Sequence, residues 1–557
     1  MDLDPSLVHY KTHEVTNQPP PLRDYNVFTS DRALSEAVER EGGGWAAEHL
    51  TRLGARLGSA EVIEWGFQAN RNLPVLHTHD RFGARRDHVE YHPSWHQILG
   101  LSIANGIHTS PWAEPRPGAH VARGAAFFML AQIEAGVCCP TTVGYAAVPT
   151  LRVQPDVAAE WTPRLLSRTY DPRFLPAKEK TGAIISMGMT EKQGGSDLRS
   201  NTTRAFPAGA GGPGAEYRVV GHKWFFSIPM SDAFLITAQA PGGLSCFLLP
   251  RFTPDGAVNG LHLQRLKDKL GNKANASSEV EFHDAYARLV GEEGRGIATV
   301  IEMANYSRID CALGSAGQIR QSLAQALHHA SHRSAFNRRL VDQPLMTNVL
   351  ADLSVESEAA TALALRLARA FDRQEQDPAE ATLRRVLTPA VKYFVCKRAP
   401  IVAAEALEVL GGGGFVEESL MPRLYREAPL NSVWEGSGNV MCLDVQRAIG
   451  RSKGSLDVLF QELELSRGTD SRLDLFVGAL KEDLHREGGD DGSFGRRHVE
   501  RIALALAGSL LRRHSPAPVA DAFSATRLGG EWTGAFGTLP AGLDARAIVG
   551  RVGAVSG

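Results

Sequence analysis

Hydrophobic and polar positions alternate along this chain in three textures. From about residue 30 to 180 the pattern is mostly helical: Ser30 and Asp31 can cap a helix running through Glu39, and HVARGAAFFMLAQIEAG at 120–136 is apolar nearly all round, as in a buried helix. Between about 182 and 290 it changes to short alternating or β-branched runs, among them AIISMGM, YRVVGHKWFF, AFLITAQA, LSCFLLPRF, GLHLQRL and SSEVEFHDAYARLV. Turn residues separate them, which predicts a β domain of roughly seven strands. The glycine-rich stretch from Gly209 to Gly214 suits a hairpin tip in that sheet. Apolar residues then return at i, i+3, i+4 spacing in long segments, 297–336, 344–374 and 379–410, which predicts an antiparallel bundle. Gly411 to Gly414 stop the last of these, and a second glycine turn at 436–438 precedes a helix with the sequence NVMCLDVQRAI. Residues from 452 to Ser515 read as helical and the rest as Pro/Gly-rich, while Pro19, Pro20 and Pro21 keep residues 1–25 an extended arm.

The fold class expected is therefore α+β, mostly α, in four parts: an N-terminal arm and helical domain (1–181), a middle β domain (182–290), a helical bundle (291–450) and a C-terminal helical extension (451–557). Strands do not alternate with helices and no strand–GxGxxG–helix unit occurs, which argues against a dinucleotide-binding doubly wound sheet.

Composition adds less. With 43% hydrophobic and 22% charged residues the chain of 557 residues has ample material for large cores, and its net charge of −2 gives no overall pull towards nucleic acid or anionic membrane. The six cysteines form no C-x-x-C pair or zinc spacing, so no metal site is expected and a reduced compartment is. The N-terminal residues carry acid where a leader needs base, and no run approaches 18 apolar residues, so a cytoplasmic protein without membrane contact is expected.

Three segments carry candidate chemistry. MTEKQGGSD (189–197) is a polar turn at the head of the β domain; by residue type it is either an ordinary turn or, through the hydroxyls of Thr190 and Ser196 and the amides of Gly194 and Gly195, a seat for a flat heteroaromatic ring or a diphosphate. GHKWFFS (221–227) sets three aromatics and a hydroxyl on a strand, where alternation puts Trp224 and Phe226 on one face and Phe225 and Ser227 on the other. NSVWEGSGNVM (431–441) presents Glu435 beside Trp434 from a tight loop that opens a helix. A carboxyl against an indole in a dry pocket is raised towards the range of a general base, and the helix amides beyond it can hold a phosphate; a capping glutamate in a solvated turn is the alternative.

Together these segments resemble the signatures of acyl-CoA dehydrogenases. Supporting resemblances follow in family order: DKLGNKANASSEVEFHDA, LVGEEGRGI, RSAFNRRLVDQP, AAEALEVLGGGGF and MPRLYREA. THEVTNQPPPL near the start, MGMTEKQGGSD, LKDKLGNKANAS, NSVWEGSGNVMCLDV and the extension of about a hundred residues are similar to the AidB, or alkylation-response, branch of that family. The sequence departs from ordinary members at Lys192 and Gln193, at Trp434 where tyrosine is usual, and at Asn337 where glycine is usual.

The resemblance implies FAD in a cleft between the β domain and the bundle. Met187, Met189, Thr190, Gly195 and Ser196 would line the isoalloxazine and diphosphate; Phe225, Phe226 and Ser227 would pack near the ring; and Trp434, Gly436, Gly438 and Asn439 would hold the nucleotide side. Arg333 and Gln343 would reach the cofactor of a neighbouring subunit in a homotetramer. Glu435 would be the catalytic base, taking the α-proton of an acyl thioester while the flavin accepts a hydride from the β-carbon.

The extension holds a further pattern. Between 494 and 527 stand Arg496, Arg497, Arg501, Arg512, Arg513 and Arg527 against Glu500 and Asp521, and Arg497, Arg501 and Arg512 share one side of a helix opposite Val499, Ile502, Leu506 and Leu510. The stripe, about 22 Å long, is either a solvated helix face or a phosphate-binding surface. The resemblance implies contact with double-stranded DNA, without sequence preference, through these arginines and Arg447. Two functions are thus expected to compete: an FAD-dependent dehydrogenase of short or branched acyl-CoA, weak and coupled to DNA binding in an alkylation response, or a fully active enzyme of lipid or amino-acid catabolism with no DNA role.

Overall fold

The computed structural model describes residues 12–451, 454–486 and 492–553. An extended arm leads into α1 (Arg32–Arg40), α2 (Ala47–Leu57) and α3 (Ala60–Arg71). Asp31 caps α1 by accepting from Leu34 N at 3.1 Å. A hairpin, β1 (Val75–His79) and β2 (Arg85–Glu90), interrupts the helical domain and is a feature the helical reading of 30–180 misses. Its turn has a local signal: Asp80 Oδ1 accepts from the amides of Phe82 and Ala84, and Gly83 sits at φ +83. The domain continues with α4 (Pro93–Ala104), α5 (Ser110–Ala113), α6 (Ala119–Ile133), α7 (Cys138–Leu151) and α8 (Pro155–Leu165). In α6 every residue but His120 is buried, as its all-round apolar sequence requires.

The middle domain has seven strands: β3 (Ile185–Gly188), β4 (Arg204–Pro207), β5 (Glu216–Ser227), β6 (Ala233–Ala240), β7 (Gly243–Pro250), β8 (Leu261–Leu266) and β9 (Ser277–Val290). Strands β6, β4, β5, β9 and β7 pair in that order, and β7 pairs back onto β6, so the sheet closes into a small barrel. Closure buries β6 and β7 almost throughout, and their sequences are correspondingly near-continuous apolar runs. Strand β4 is the one absent from the apolar runs of the sequence; it contributes four residues with one buried, Ala205.

The bundle consists of α9 (Gly296–His332), α10 (Pro344–Arg373) and α11 (Pro378–Val409), followed by α12 (Met421–Glu427), α13 (Leu430–Val433) and α14 (Gly438–Arg451). A two-residue hairpin, β10 (Ser334–Ala335) and β11 (Arg338–Arg339), links α9 to α10. Its tip holds Phe336 and Asn337 at φ +52 and +59, which explains why an asparagine serves where glycine is usual. Helix α9 is the central member, packed by α6, α7, α10 and α11.

The extension comprises α15 (Ser455–Glu464), α16 (Ser471–Arg486), α17 (Gly495–His514), α18 (Ala517–Phe523), a π-turn at Ser524–Leu528 and α19 (Ala545–Val552). The last two helices lie in the segment read as Pro/Gly-rich coil. Helix α17 packs on α10, α11 and α14, and α19 returns to α1 and α10.

Candidate active site

Glu435 is the first of three residues between Trp434 and α14, with φ +57 at Glu435 and +101 at Gly436. A non-glycine residue in the left-handed region costs on the order of 1 kcal/mol, so the loop needs external support. Two buried cations provide it. Lys392 Nζ, from α11, donates to the carbonyls of Trp434 (2.9 Å) and Gly436 (2.5 Å), and Arg308 Nε, from α9, donates to the carbonyl of Glu435 (3.0 Å). Asp444 holds Arg308 in turn at 2.8 Å. Trp434 Nε1 donates to Asn431 Oδ1 at 2.8 Å, and Asn431 reaches Ser315 of α9. Three successive carbonyls are thus bolted to the bundle, which leaves the Glu435 carboxyl as the free end of the loop. Burial raises its pKa above the ordinary 4.5; Arg308, Lys392 and the neighbouring Ser307 hydroxyl pull the other way without overcoming it. Neither Lys392 nor Arg308 was singled out in the sequence, although a charged residue inside the apolar run VKYFV was a signal.

The middle domain supplies the facing half. Met187, Met189 and Thr190 are half-buried on and after β3, and Ser196 follows in the exposed turn. Glu191 of the same motif is buried and paired to Lys223 of β5 at 2.7 Å, with both side chains inaccessible. Its carboxylate also accepts from the Thr202 and Thr203 amides, folding residues 189–203 back on themselves. Burial works to raise the Glu191 carboxyl, but Lys223 and these hydrogen bonds prevail and hold it at about 2. Gly195 is required where it stands, because a Cβ there would lie 2.9 Å from Thr190 Oγ1.

On β5 the alternation is broken by an irregularity in the β5–β9 register between Lys223 and Phe226. Phe225 is largely exposed and Ser227 half-buried, as a ring-facing pair requires, whereas Phe226 is fully buried against Phe234 at 4.2 Å. Phe226 therefore does not pack at a ligand surface. It abuts Gly188, where any Cβ would meet its ring at 2.4 Å, and so supports β3 from behind.

The two halves meet at Cys139, in the first turn of α7. Its thiol lies beside the Ser227 and Asn275 side chains and within electrostatic reach of Glu435. Glu435 and Ser227 thus share a neighbour across the domain boundary, and residues of both motifs come together. At the start of α14 Gly438 is buried beside the end of the Lys397 side chain, and Asn439 is exposed and accepts from Arg496 Nε at 2.8 Å.

Arg333 and Gln343 do not join this site within the chain. At about 1.5 Å per residue, Arg333 stands roughly 37 Å along α9 from Arg308, at the far end. There Arg333 Nη1 donates to the Asn17 carbonyl of the arm at 2.6 Å, and Gln343 Nε2 donates to the Ala335 carbonyl at 2.9 Å.

The arginines of the extension are mostly turned to structural use, so a free stripe along α17 is not found. Helix α16 lies alongside and brings Asp483 against Arg501; Asp470 and Asp521 take Arg512, the latter at 2.7 Å. Arg513 pairs with Glu462 at 2.8 Å, and Glu462 also takes Arg366 of α10. Arg527 is buried, paired with Asp352 at 2.6 Å and Glu356 at 3.1 Å, both on α10. Arg447 and Arg497 are exposed, the latter 3.9 Å from Asp483.

Residues of the site fit a flavin: the half-buried Met187, Met189 and Thr190, the exposed Phe225 and the exposed turn at Ser196 border it with apolar faces and hydroxyl donors. A closed barrel between two helical domains, with a half-buried carboxyl on a loop entering the last bundle helix, is the architecture of the acyl-CoA dehydrogenases. The acyl-CoA dehydrogenase middle domain matches residues 186–285 and its C-terminal domain residues 294–450, and the N-terminal domain of the adaptive response protein AidB matches residues 17–172. The chain belongs to the acyl-CoA dehydrogenase family, FAD-dependent oxidoreductases, and to its AidB branch.

It is 47% identical to AidB of Escherichia coli (strain K12) over 518 residues, 93% of this chain and 94% of that protein. It is 28% identical to acyl-CoA dehydrogenase family member 11 of Caenorhabditis elegans, over 88% of this chain and 82% of that protein. The crystal structure of Caenorhabditis elegans ACDH-11 in complex with C11-CoA superposes with a TM-score of 0.83 at 27% identity, covering 93% of this chain and 92% of that one.

Proposed function

We propose that this protein binds FAD between the middle domain and the bundle and dehydrogenates short or branched acyl-CoA thioesters at the α,β bond, with Glu435 as base. The observation that carries the reading is the Glu435 carboxyl, raised by burial, on a loop whose carbonyls are braced by Lys392 and Arg308, with Cys139 as its common neighbour with Ser227. FAD, when bound, supplies the acceptor for the β-hydride. Glu435 removes the α-proton, and the raised affinity of its carboxyl for a proton suits that task. Met187, Met189, Thr190, Gly195, Ser196, Phe225 and Ser227 hold the ring and diphosphate; Trp434, Gly436, Gly438 and Asn439 shape the nucleotide end.

Arg333 and Gln343, remote from their own Glu435, serve a neighbouring subunit in a homotetramer. In support, Phe336 is 96% and Leu345 84% exposed on the hairpin and helix start beside them, apolar surface that an interface would cover. Titration of purified protein with isobutyryl-CoA or isovaleryl-CoA tests the reaction: the flavin absorbance bleaches, and Glu435→Gln abolishes the bleaching. No bleaching across a panel of thioesters would overturn it.

A second role, sequence-independent binding of duplex DNA in the alkylation response, is favoured by the exposure of Arg447 on α14 and Arg497 on α17, helices tied together by the Arg496–Asn439 hydrogen bond. Duplex binding that weakens with salt and with Arg447→Ala supports this role; binding that ignores both leaves a catabolic dehydrogenase alone.

A further inference from the structure

Beside Glu435, on the middle-domain side, stands a set of polar groups that neither the base loop nor the flavin motifs use. The Asn275 side chain is 1% exposed, and neither amide atom has a hydrogen-bond partner. A dry, unpaired amide is costly, and native structures almost always give such a group a protein, water or ligand partner. Lys269 is adjacent: its Nζ donates to the Asn275 backbone carbonyl (2.6 Å) and to Ser277 Oγ (3.1 Å), two acceptors for three N–H donors. Burial pushes this ammonium down to about 8, so it is a poorly hydrated cation. Ser277 Oγ lies 3.4 Å from Ser227 Oγ, which links the lysine to the proposed flavin edge. Cys139 completes the set, next to the Asn275 amide but outside hydrogen-bond geometry, and within reach of both Lys269 and Glu435.

We propose that Lys269, Asn275 and Cys139 form a polar subsite that takes an oxygen of the acyl group, so that the preferred thioesters carry a hydroxyl or carbonyl on the acyl chain. The inference rests on Glu435 being the base for an acyl thioester. A hydrocarbon chain laid against these groups leaves the Asn275 amide unpaired and strips Lys269 of further water. A chain oxygen instead accepts from the remaining Lys269 N–H or from Asn275 Nδ2, and a hydroxyl also donates to Asn275 Oδ1. A carboxylate suits the position less well, because Glu427 and Glu134 already act on Lys269 and Glu435 acts on Cys139, all with like charge. Sites built around buried hydrogen-bonding groups discriminate strongly against analogues that lack the partner atom.

The test compares butanoyl-CoA with 3-hydroxybutanoyl-CoA and 4-hydroxybutanoyl-CoA, of equal chain length, as ligands of the FAD-loaded protein. Dissociation constants are read from the perturbation of the flavin spectrum. At least one hydroxylated ligand is expected to bind about tenfold or more tightly than butanoyl-CoA, and Asn275→Leu to erase the difference. Lys269→Met is measured in parallel, so that a poorly folded Asn275 variant does not decide the outcome. Equal or tighter binding of butanoyl-CoA by the natural protein, or a preference that survives both substitutions, overturns the subsite and leaves the base assignment standing. If none of the three ligands binds, both fall.

Discussion

Lys392 directs its charge at backbone. It reaches the carbonyls on either side of Glu435, while Arg308 takes the carbonyl between them, so the proposed base is positioned by groups that hold the backbone of its loop. Replacing Lys392 by Met leaves two carbonyls without donors, an expected loss of about 1–3 kcal/mol in thermal or denaturant unfolding. Flavin reduction should slow by about 10- to 100-fold with substrate affinity little changed, since a misplaced base costs rate before binding. The pH profile separates positioning from mere stability. Because burial raises the Glu435 pKa above 4.5, the rate should fall as pH drops through an inflection above that value; removing the Lys392 cation, which lowers it, should move the inflection higher. The Glu435 loop was marked in the sequence by its indole and glycine turn, with a capping glutamate as the alternative, and the role of base came from the family resemblance. Its two braces were not: they sit more than 40 and 120 residues away, and only the folded bundle brings them under the loop.

Helix α17 shows what amphipathic patterning conveys and what it omits. Its apolar side was legible, and Val499, Ile502, Leu506 and Leu510 are buried as expected. Its arginine side was misread as a free surface because the acids that meet it come from other elements: Asp483 on α16, Glu462 on α15 and Asp470 before α16; Arg527, in the turn after α18, likewise meets Asp352 and Glu356 of α10. Arg527→Met should therefore destabilise the protein by about 3–5 kcal/mol, leaving buried carboxylates short of a partner. Arg497→Ala, on an exposed side chain, should leave the unfolding midpoint unchanged. The loop after β3 gives a matching case. Glu191, held at about 2 against an ordinary 4.5, contributes stability that is complete above pH 4.5 and is lost as pH falls towards 2. Burial pushes Lys223 down to about 8, so its titration falls in a separate alkaline window. Acid unfolding followed across that lower range should be flatter for Glu191→Gln than for the natural protein. The MTE motif flagged this loop, but it was its hydroxyls and glycines that drew the reading, whereas the buried acid shapes it.

Across the molecule, the order helical domain, β domain, bundle and extension was legible because each has its own period. The hairpin at 75–90 was not, being two short strands inside a helical stretch, and neither was the closure of the sheet, which depends on pairings between β6, β7 and β9 that no local pattern specifies. The length of α9 has a genetic consequence. It holds Arg308 under the Glu435 loop near one end and Arg333 roughly 37 Å away at the other, so in the proposed homotetramer the two ends of one helix would serve different catalytic centres. Consider a mixed oligomer of Glu435→Gln chains and Arg333→Ala chains, each inactive alone. The centre with an intact Glu435 receives an intact Arg333 from its neighbour, and the other centre inherits both defects. Co-expression of the two should restore up to half the activity per heterologous pair, whereas either variant mixed with itself should restore none.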